Sequence, residues 1–177
     1  MVDALTRLGI PGELVVIIVS ALPIFELRGG IPLGIGVFHF SWYYTLCLSL
    51  IGNLFPVPFL LLFFRALVKY VRQTRWGQKL FNPIVHHAER RMSSVQKYGK
   101  LGLMVFVAIP LPGTGAWTGA AIASLLGMKF RGAFLSIMAG VIIAGAIMVA
   151  LSLLGWIGAV IFGVGLCAVA IIGLWRA

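Results

Sequence analysis

The sequence has little charge, and acidic residues are the rarest of its charged groups. Of its 177 residues only 10% are charged and four are Asp or Glu, whereas 61% are hydrophobic. About a quarter of the residues in a soluble domain are charged, so this composition cannot cover a protein surface that faces water. It excludes a soluble protein and predicts one all-α membrane domain that has lipid as its solvent.

The groups that catalysis, metal binding and disulfide scaffolds need are also scarce. Cys47 and Cys167 each lie within apolar runs, where a cysteine is typical of small apolar packing. His86 and His87 stand near Glu89 without a further set of metal ligands. No nucleophile has a base beside it. The sequence therefore predicts no metal site, no cofactor and no enzyme.

The basic residues are concentrated in one part of the chain. The net charge is +10, and nine of the 14 Lys and Arg lie in residues 65–100, between apolar stretches. Such a cluster favours a cytoplasmic loop under the positive-inside rule, with attraction to anionic lipid headgroups as a second effect. Base-reading or stacking residues do not alternate with these charges, so we expect no nucleic-acid partner.

Five apolar stretches account for most of the remaining chain. Residues 42–64, 132–155 and 156–175 are uncharged, and each meets the requirement of about 20 residues for a hydrocarbon core of about 30 Å. Residues 13–40 and 101–128 are also largely apolar, but Pro and Gly interrupt both near the centre. A straight span broken there would leave backbone groups unpaired in lipid. We therefore predict two re-entrant helical hairpins and about three full transmembrane helices.

Charge placement favours two hairpins that enter from opposite sides. If residues 65–100 are cytoplasmic, a second hairpin returns Lys129 and Arg131 to the cytoplasm, and the C-terminus also ends there. We predict an inverted repeat in the cytoplasmic membrane of a prokaryote. Its parts are a first hairpin and span (1–64), the basic cytoplasmic loop (65–100), a second hairpin and span (101–155) and a C-terminal span (156–177). Paired interrupted segments of this kind point to a midplane binding site in transporters.

Glu26 and Arg28 in the first predicted hairpin are the main candidates for substrate binding. Ionisable groups at membrane depth cost about 2.5–3.5 kcal/mol on insertion scales, so they usually face a cavity or a partner. Arg28 suits an anionic headgroup, and Glu26 suits a counter-ion or a proton carrier. We expect Gly29, Gly30 and Pro32 to form a turn whose free amides also bind the anion. An anchor at the membrane interface is the alternative.

The second predicted hairpin supplies the opposing wall of the same cavity. Its candidate residues surround the break in the sequence: Pro110, Pro112, Gly113, Thr114 and Trp117. A structural turn packed against protein is the alternative interpretation. Asn53 lies near the middle of a span, where it needs a hydrogen-bond partner, and it either contacts substrate or braces the hairpin.

The motifs Glu26-Leu-Arg-Gly-Gly-Ile-Pro-Leu-Gly and Ile109-Pro-Leu-Pro-Gly-Thr-Gly-Ala-Trp-Thr-Gly resemble the small multidrug export protein family, a distant branch of the DedA/VTT superfamily. The resemblance extends over about residues 10–155. It implies two opposed re-entrant hairpins and movement of polyprenyl phosphates or other lipids, with dependence on the proton gradient. Typical DedA proteins carry arginines around the second-hairpin proline, where this chain has Ile109 and Gly115.

The residues and the resemblance together predict a membrane transporter for a lipid or polyprenyl-phosphate-type anionic amphiphile, with membrane lipids and protons as partners. Two alternatives stay open. One is an exporter of small organic cations that uses Glu26 as the ligand, and the other is a membrane scaffold that transports nothing. The sequence also leaves open whether copies of the chain form a homo-oligomer.

Overall fold

A computed structural model describes residues 10–73, 98–111, 113–155, 157–160, 163–165 and 167. Every regular element within these ranges is helical, which confirms the predicted all-α class. The helices are α1 (Gly12–Ala21), α2 (Glu26–Pro32) with a π-helical turn directly after it (Leu33–Val37), α3 (Trp42–Leu54), α4 (Val57–Gln73), α5 (Lys100–Ala108), α6 (Ala116–Leu125) and α7 (Phe130–Leu153).

Two helical stretches in the described residues are long and apolar enough to cross a membrane, Trp42–Val71 and Phe130–Leu153. The second agrees closely with the predicted span 132–155. The first consists of α3 and α4 and continues past the predicted end at residue 64, with a turn only at Phe55 and Pro56. Most of the third predicted span, 156–175, lies outside the described residues.

The outer face of α3 and α4 consists of large apolar side chains. Phe55 and Phe59 are 69% and 63% exposed, and three further residues on this face are at least half exposed: Ile51, Leu62 and Phe63. A continuous apolar surface of this kind would be unstable in water, whereas the hydrocarbon of a bilayer accommodates it without cost. The exposed surface therefore agrees with a membrane-spanning helix pair.

The break in the first interrupted segment lies between α1 and α2, not at the glycines where we predicted it. Leu22 is extended, with ψ of 138°, because a following proline disfavours the helical conformation at the residue before it. Gly29 is helical, and its amide donates to the Phe25 carbonyl at 3.0 Å. The prediction of a Gly-rich turn with free amides is therefore wrong.

Gly30 of α2 and Gly34 of the π-helical turn serve close helix packing instead. A Cβ added to Gly30 would overlap the Ser20 hydroxyl of α1 and lie 3.1 Å from the Ser49 hydroxyl of α3. A Cβ added to Gly34 would likewise overlap the side chain of Thr45. Small residues let helix backbones approach closely in membranes, where hydrophobic burial does not drive association.

The break in the second interrupted segment lies where the sequence predicts it, between α5 and α6. Ile109 precedes Pro110 and is extended, with ψ of 118°, for the same reason as Leu22. Gly113 adopts a left-handed conformation with φ of 81°, which glycine accommodates without strain. Pro112 lies outside the described residues.

Each interrupted segment begins and ends at neighbouring positions. In the first, a Cβ added to Gly12 would lie 2.9 Å from Phe38 Cδ1 and 3.1 Å from the Phe40 ring. In the second, Lys100 packs over Gly132, where an added Cβ would lie 2.8 Å from Lys100 Cε. The second segment therefore begins at Lys100 and ends at the start of α7, and these two positions are neighbours.

Helix α7 packs against α2, α3, α5 and α6, and most of the buried core surrounds it. A close approach is at Gly140, where an added Cβ would lie 2.7 Å from the Met104 carbonyl oxygen of α5. Ser136 and Ala144 are buried on either side of Gly140, and small residues of this kind let membrane helices pack closely. Helix α7 is thus held against α5 by backbone proximity.

Candidate functional site

Glu26 is a buried carboxylate in an unusual backbone conformation. It is the first residue of α2 and only 5% exposed, and its φ of 46° lies in the left-handed region. A residue other than glycine in this region costs about 1–3 kcal/mol, and such strain often accompanies functional sites. The strained turn directs the Glu26 side chain from the first break towards the second.

The carboxylate of Glu26 lies at the N-terminus of α6. The Trp117 amide donates to Glu26 Oε1 at 3.4 Å, and Gly115, the N-cap residue of α6, has no side chain that could accept from that amide. A Cβ on Gly115 would overlap the carboxylate. Because the first amides of a helix lack partners and carry partial positive charge, Glu26 acts as the cap of a helix in the other segment.

Arg28 and Trp117 make two more bonds between the breaks. Arg28 Nη2 donates to Thr114 Oγ1 at 3.1 Å, and Trp117 Nε1 donates to the Ala21 carbonyl at 3.1 Å. The Thr114 hydroxyl is fixed by its own turn, since it lies 2.6 Å from the Ile109 carbonyl. Three polar contacts therefore connect the first break to the second.

A small cleft lies between these contacts and α3. Glu26, Arg28, Asn53, Pro110 and Gly115 are among its lining residues, and they are its polar or break-forming members. Its volume of about 10 Å³ is roughly the space that one water needs. Asn53 is 2% exposed, and its side-chain oxygen has no hydrogen-bond partner. The cleft is thus narrow and polar at its Glu26 end.

A much larger cavity of about 350 Å³ begins on the other side of Arg28. Among the described residues that line it, Arg28 is the only charged one and Ser152 is polar. The others are apolar or small: Pro32, Gly36, Met148, Leu151, Gly155, Gly158, Ala159 and Gly163. Among the described residues, no atom lies within 4 Å of a Cβ added to Gly155 or Gly163.

The structure thus brings together most, but not all, of the predicted site residues. Glu26, Arg28, Asn53, Pro110, Thr114 and Trp117 meet at the two breaks. Pro32 lines only the large cavity, and Gly29 and Gly30 line neither. Gly113 is exposed at the second break. Within the described ranges no three His, Cys, Asp or Glu residues are grouped as metal ligands.

Two participants were missing from the predicted set. Gly115 makes room for the Glu26 carboxylate, and Gly36 widens the large cavity, with no atom within 4 Å of an added Cβ. The signal for Gly115 was present, since it directly precedes an apolar helix without any polar N-cap side chain. Gly36 has no such signal, because a glycine that lines a space looks the same in the sequence as one that packs.

Comparison with known proteins identifies one family. The model of the family described as "Putative small multi-drug export protein" matches residues 26–147, which is more than half of the chain. The match begins at Glu26, directly after the first break, and includes α2, α3, α4, the second break and most of α7. No curated protein and no solved structure matches the chain.

The contact between Arg28 and Thr114 should couple the two breaks energetically. In a double-mutant cycle of Arg28→Met and Thr114→Val, we expect a coupling of about 1.5–3 kcal/mol, the range for hydrogen bonds to charged groups. The measurement is the free energy of unfolding in lipid nanodiscs.

Thr118→Val is the matched control, because Thr118 is also half-buried and lies on α6. Its coupling to Arg28→Met should stay within about 0.5 kcal/mol. Equal coupling for Thr114 and Thr118 would show that the bond between the breaks contributes nothing specific.

Proposed function

Since the chain belongs to the family of small multi-drug export proteins, we propose that it is a membrane transporter for an anionic amphiphile such as a lipid phosphate or polyprenyl phosphate. The single observation that carries this proposal is the position of Arg28 at one end of a largely apolar cavity of about 350 Å³. A ligand that matches both features has one anionic head and an apolar tail. Family membership and two apolar spans make the chain a membrane protein.

Arg28 is well suited to a phosphate head. Its guanidinium presents a planar fork of donors that matches phosphate oxygens. Its present partner, Thr114, is a neutral hydroxyl, so a phosphate would be a stronger acceptor in the same place. The apolar walls contributed by Met148, Leu151 and the small residues would surround the tail.

Export of an organic cation fits this geometry less well. A cation needs Glu26 as its ligand, but Glu26 is not among the residues that line the large cavity. Its carboxylate is already engaged at the N-terminus of α6. A scaffold without transport also fits poorly, because packed protein interiors leave few spaces larger than a water molecule.

Several observations support re-entrant hairpins and a relationship to the DedA/VTT superfamily. Helices α1 and α6 have 10 residues each, so each reaches about 15 Å, half of a hydrocarbon core of about 30 Å. Both interrupted segments begin and end at neighbouring positions, beside Gly12 and beside Gly132. In this arrangement the two breaks meet at the midplane.

The inter-segment contacts suggest how transport proceeds. A phosphate bound to Arg28 replaces the Thr114 hydroxyl as its partner, and a proton taken up by the Glu26 carboxylate neutralises the cap of α6. Both changes weaken contacts between the segments, which then separate and expose the cavity to the other side. This is alternating access around a fixed midplane site, and it involves no enzymatic step.

We place residues 65–100, residues 129–131 and the C-terminus in the cytoplasm of a prokaryote. Arg65 donates to the Met128 carbonyl and lies 5.8 Å from the centre of the Phe130 ring, so the basic end of α4 and the start of α7 are neighbours. The positive-inside rule then assigns both to the cytoplasm.

A cysteine that replaces Lys129 should resist a membrane-impermeant thiol reagent in intact cells, and a cysteine that replaces Ser41 should react. Labelling at Lys129 from outside contradicts this orientation.

Arg28→Lys should slow transport of an anionic lipid about tenfold or more, because lysine keeps the charge but loses the planar fork. The assay uses proteoliposomes that contain a fluorescent phosphatidylglycerol, and bleaching by external dithionite reports its movement between leaflets.

Glu26→Gln should abolish any acceleration of this lipid movement by a pH gradient, since an amide takes up no proton. The effect of Glu26→Asp should be milder.

Arg131→Lys is the matched control, because Arg131 is exposed and lines neither cavity. It should transport at the wild-type rate. Parallel arms with fluorescent phosphatidylcholine and with ethidium test selectivity for the anion. Full transport of phosphatidylglycerol by Arg28→Ala, or transport of ethidium alone, would overturn the proposal.

A further inference from the structure

A row of polar side chains leads along α3 to Glu26. Its members are Ser41, Thr45, Ser49 and Asn53, spaced four residues apart, and Ser20 of α1 lies beside them. Residues at this spacing follow one slanting ridge of a helix. We refer to these five residues as the polar row. It was not recognised in the sequence, where only Asn53 drew attention.

The polar row extends from the N-terminus of α3 to the cleft that contains Glu26. Ser41 is the exposed N-cap residue of α3, and Asn53 shares the small cleft with Glu26. Asn53 lies 12 positions after Ser41, which corresponds to a rise of about 18 Å. That distance is slightly more than half of a hydrocarbon core of about 30 Å, so the row reaches from one membrane surface to the midplane.

The buried members of the polar row lack hydrogen-bond partners. Among the described residues, five buried side-chain polar atoms have no partner, and four of them belong to the row: Ser20 Oγ, Thr45 Oγ1, Ser49 Oγ and Asn53 Oδ1. A hydroxyl in a membrane helix can bond the carbonyl one turn earlier, as Ser124 does with Ala120 at 2.8 Å. An unpartnered buried polar group in a native structure requires an explanation such as bound water.

Glycines of α2 and of the π-helical turn after it face the polar row. Gly30 faces Ser20 and Ser49, and Gly34 faces Thr45. At these two positions no side chain stands between the helix backbone and the hydroxyls. Water needs two to four polar partners to occupy a buried site, and successive members of the row lie about 6 Å apart along the axis. Two hydrogen bonds of about 2.8 Å each do not reach that far, so a short chain of waters would connect neighbouring hydroxyls.

We propose that the polar row is a hydrated path along which protons reach Glu26 from the membrane surface at Ser41. This inference rests on the proposed role of Glu26 as a proton carrier. A proton from solvent passes to the first water and moves between waters and hydroxyls along Ser41, Thr45 and Ser49. It then protonates the Glu26 carboxylate through a water that donates to Asn53 Oδ1, which accepts a hydrogen bond but carries no proton. Only O–H bonds form and break, and the product is a neutral carboxylic acid. Of the residues that the structure describes, Glu26 and Arg28 are the only charged groups that line the cleft at the inner end.

The test measures exchange of the Glu26 proton with solvent and needs no transport substrate. Protein in lipid nanodiscs at low pH is transferred to D₂O, and infrared spectroscopy follows the carboxylic acid band that Glu26→Gln lacks. The variant Thr45→Val/Ser49→Ala removes two hydroxyls with little change in volume. Its exchange should be slower by about tenfold or more, the effect of about 1.4 kcal/mol on a barrier.

The matched control is Thr118→Val/Ser124→Ala, which removes the same two groups from α6, away from the polar row. It should exchange at the wild-type rate. Unchanged exchange in the row variant, or equal slowing in both variants, overturns the proposal, as does the absence of a protonated Glu26 band in the wild type. Lipid movement is scored separately, so a protein that moves no lipid but shows slowed exchange retains the proton path and loses the proposed function.

Discussion

The contact between the Glu26 carboxylate and the N-terminus of α6 is the constraint on which the rest of the site depends. A helix that begins inside a membrane has unpaired amides and no water to satisfy them. Gly115 has no side chain with which to cap the helix, and a Cβ at this position would overlap the Glu26 carboxylate. The carboxylate comes from the other interrupted segment, so the capping of α6 depends on the contact between the two segments. Arg28 then lies beside Glu26, where it contacts Thr114 on one side and the large cavity on the other.

Small residues determine where the molecule is tight and where it is open. Gly30 and Gly140 bring backbones together, which holds α2 against α1 and α3 and holds α7 against α5. Gly36 and Gly163 meet no atom within 4 Å of an added Cβ and border the large cavity instead. Glycine thus accounts both for the closely packed helices and for the large cavity. A rigid frame around a movable contact is what alternating access requires.

Elementary rules predicted the fold class and the positions of the long helices, because a bilayer permits few alternatives to apolar helices. The break before Pro110 was predicted well, and the break at Leu22 was missed, although the same proline rule applies to both. The error arose because Gly29 and Gly30 are as compatible with close packing as with a turn. Composition cannot distinguish a glycine used for close packing from one used for a turn, because the difference depends on which residues the glycine faces.

The candidate site was predicted in part for the same reason. Charge at membrane depth identified Glu26 and Arg28 without any structure. Their partners, Trp117 and Thr114, follow from the meeting of two segments about 90 residues apart, and a single sequence contains no direct sign of that contact. The large cavity was also unpredictable, since it results from side chains that are absent at Gly36 and Gly155.

The central claim is that the two breaks meet inside the membrane, and Trp117 can report on it because its indole donates to the Ala21 carbonyl of the other break. The protein has five tryptophans, and replacing the other four by phenylalanine leaves Trp117 as the only indole. Its fluorescence is measured in bilayers of lipids brominated at different depths, with a protein that retains only Trp42 as the reference. Bromine near the ends of the acyl chains should quench Trp117 most strongly, and bromine near the headgroups should quench Trp42 most strongly. Strongest quenching of Trp117 by bromine near the headgroups would contradict a midplane site.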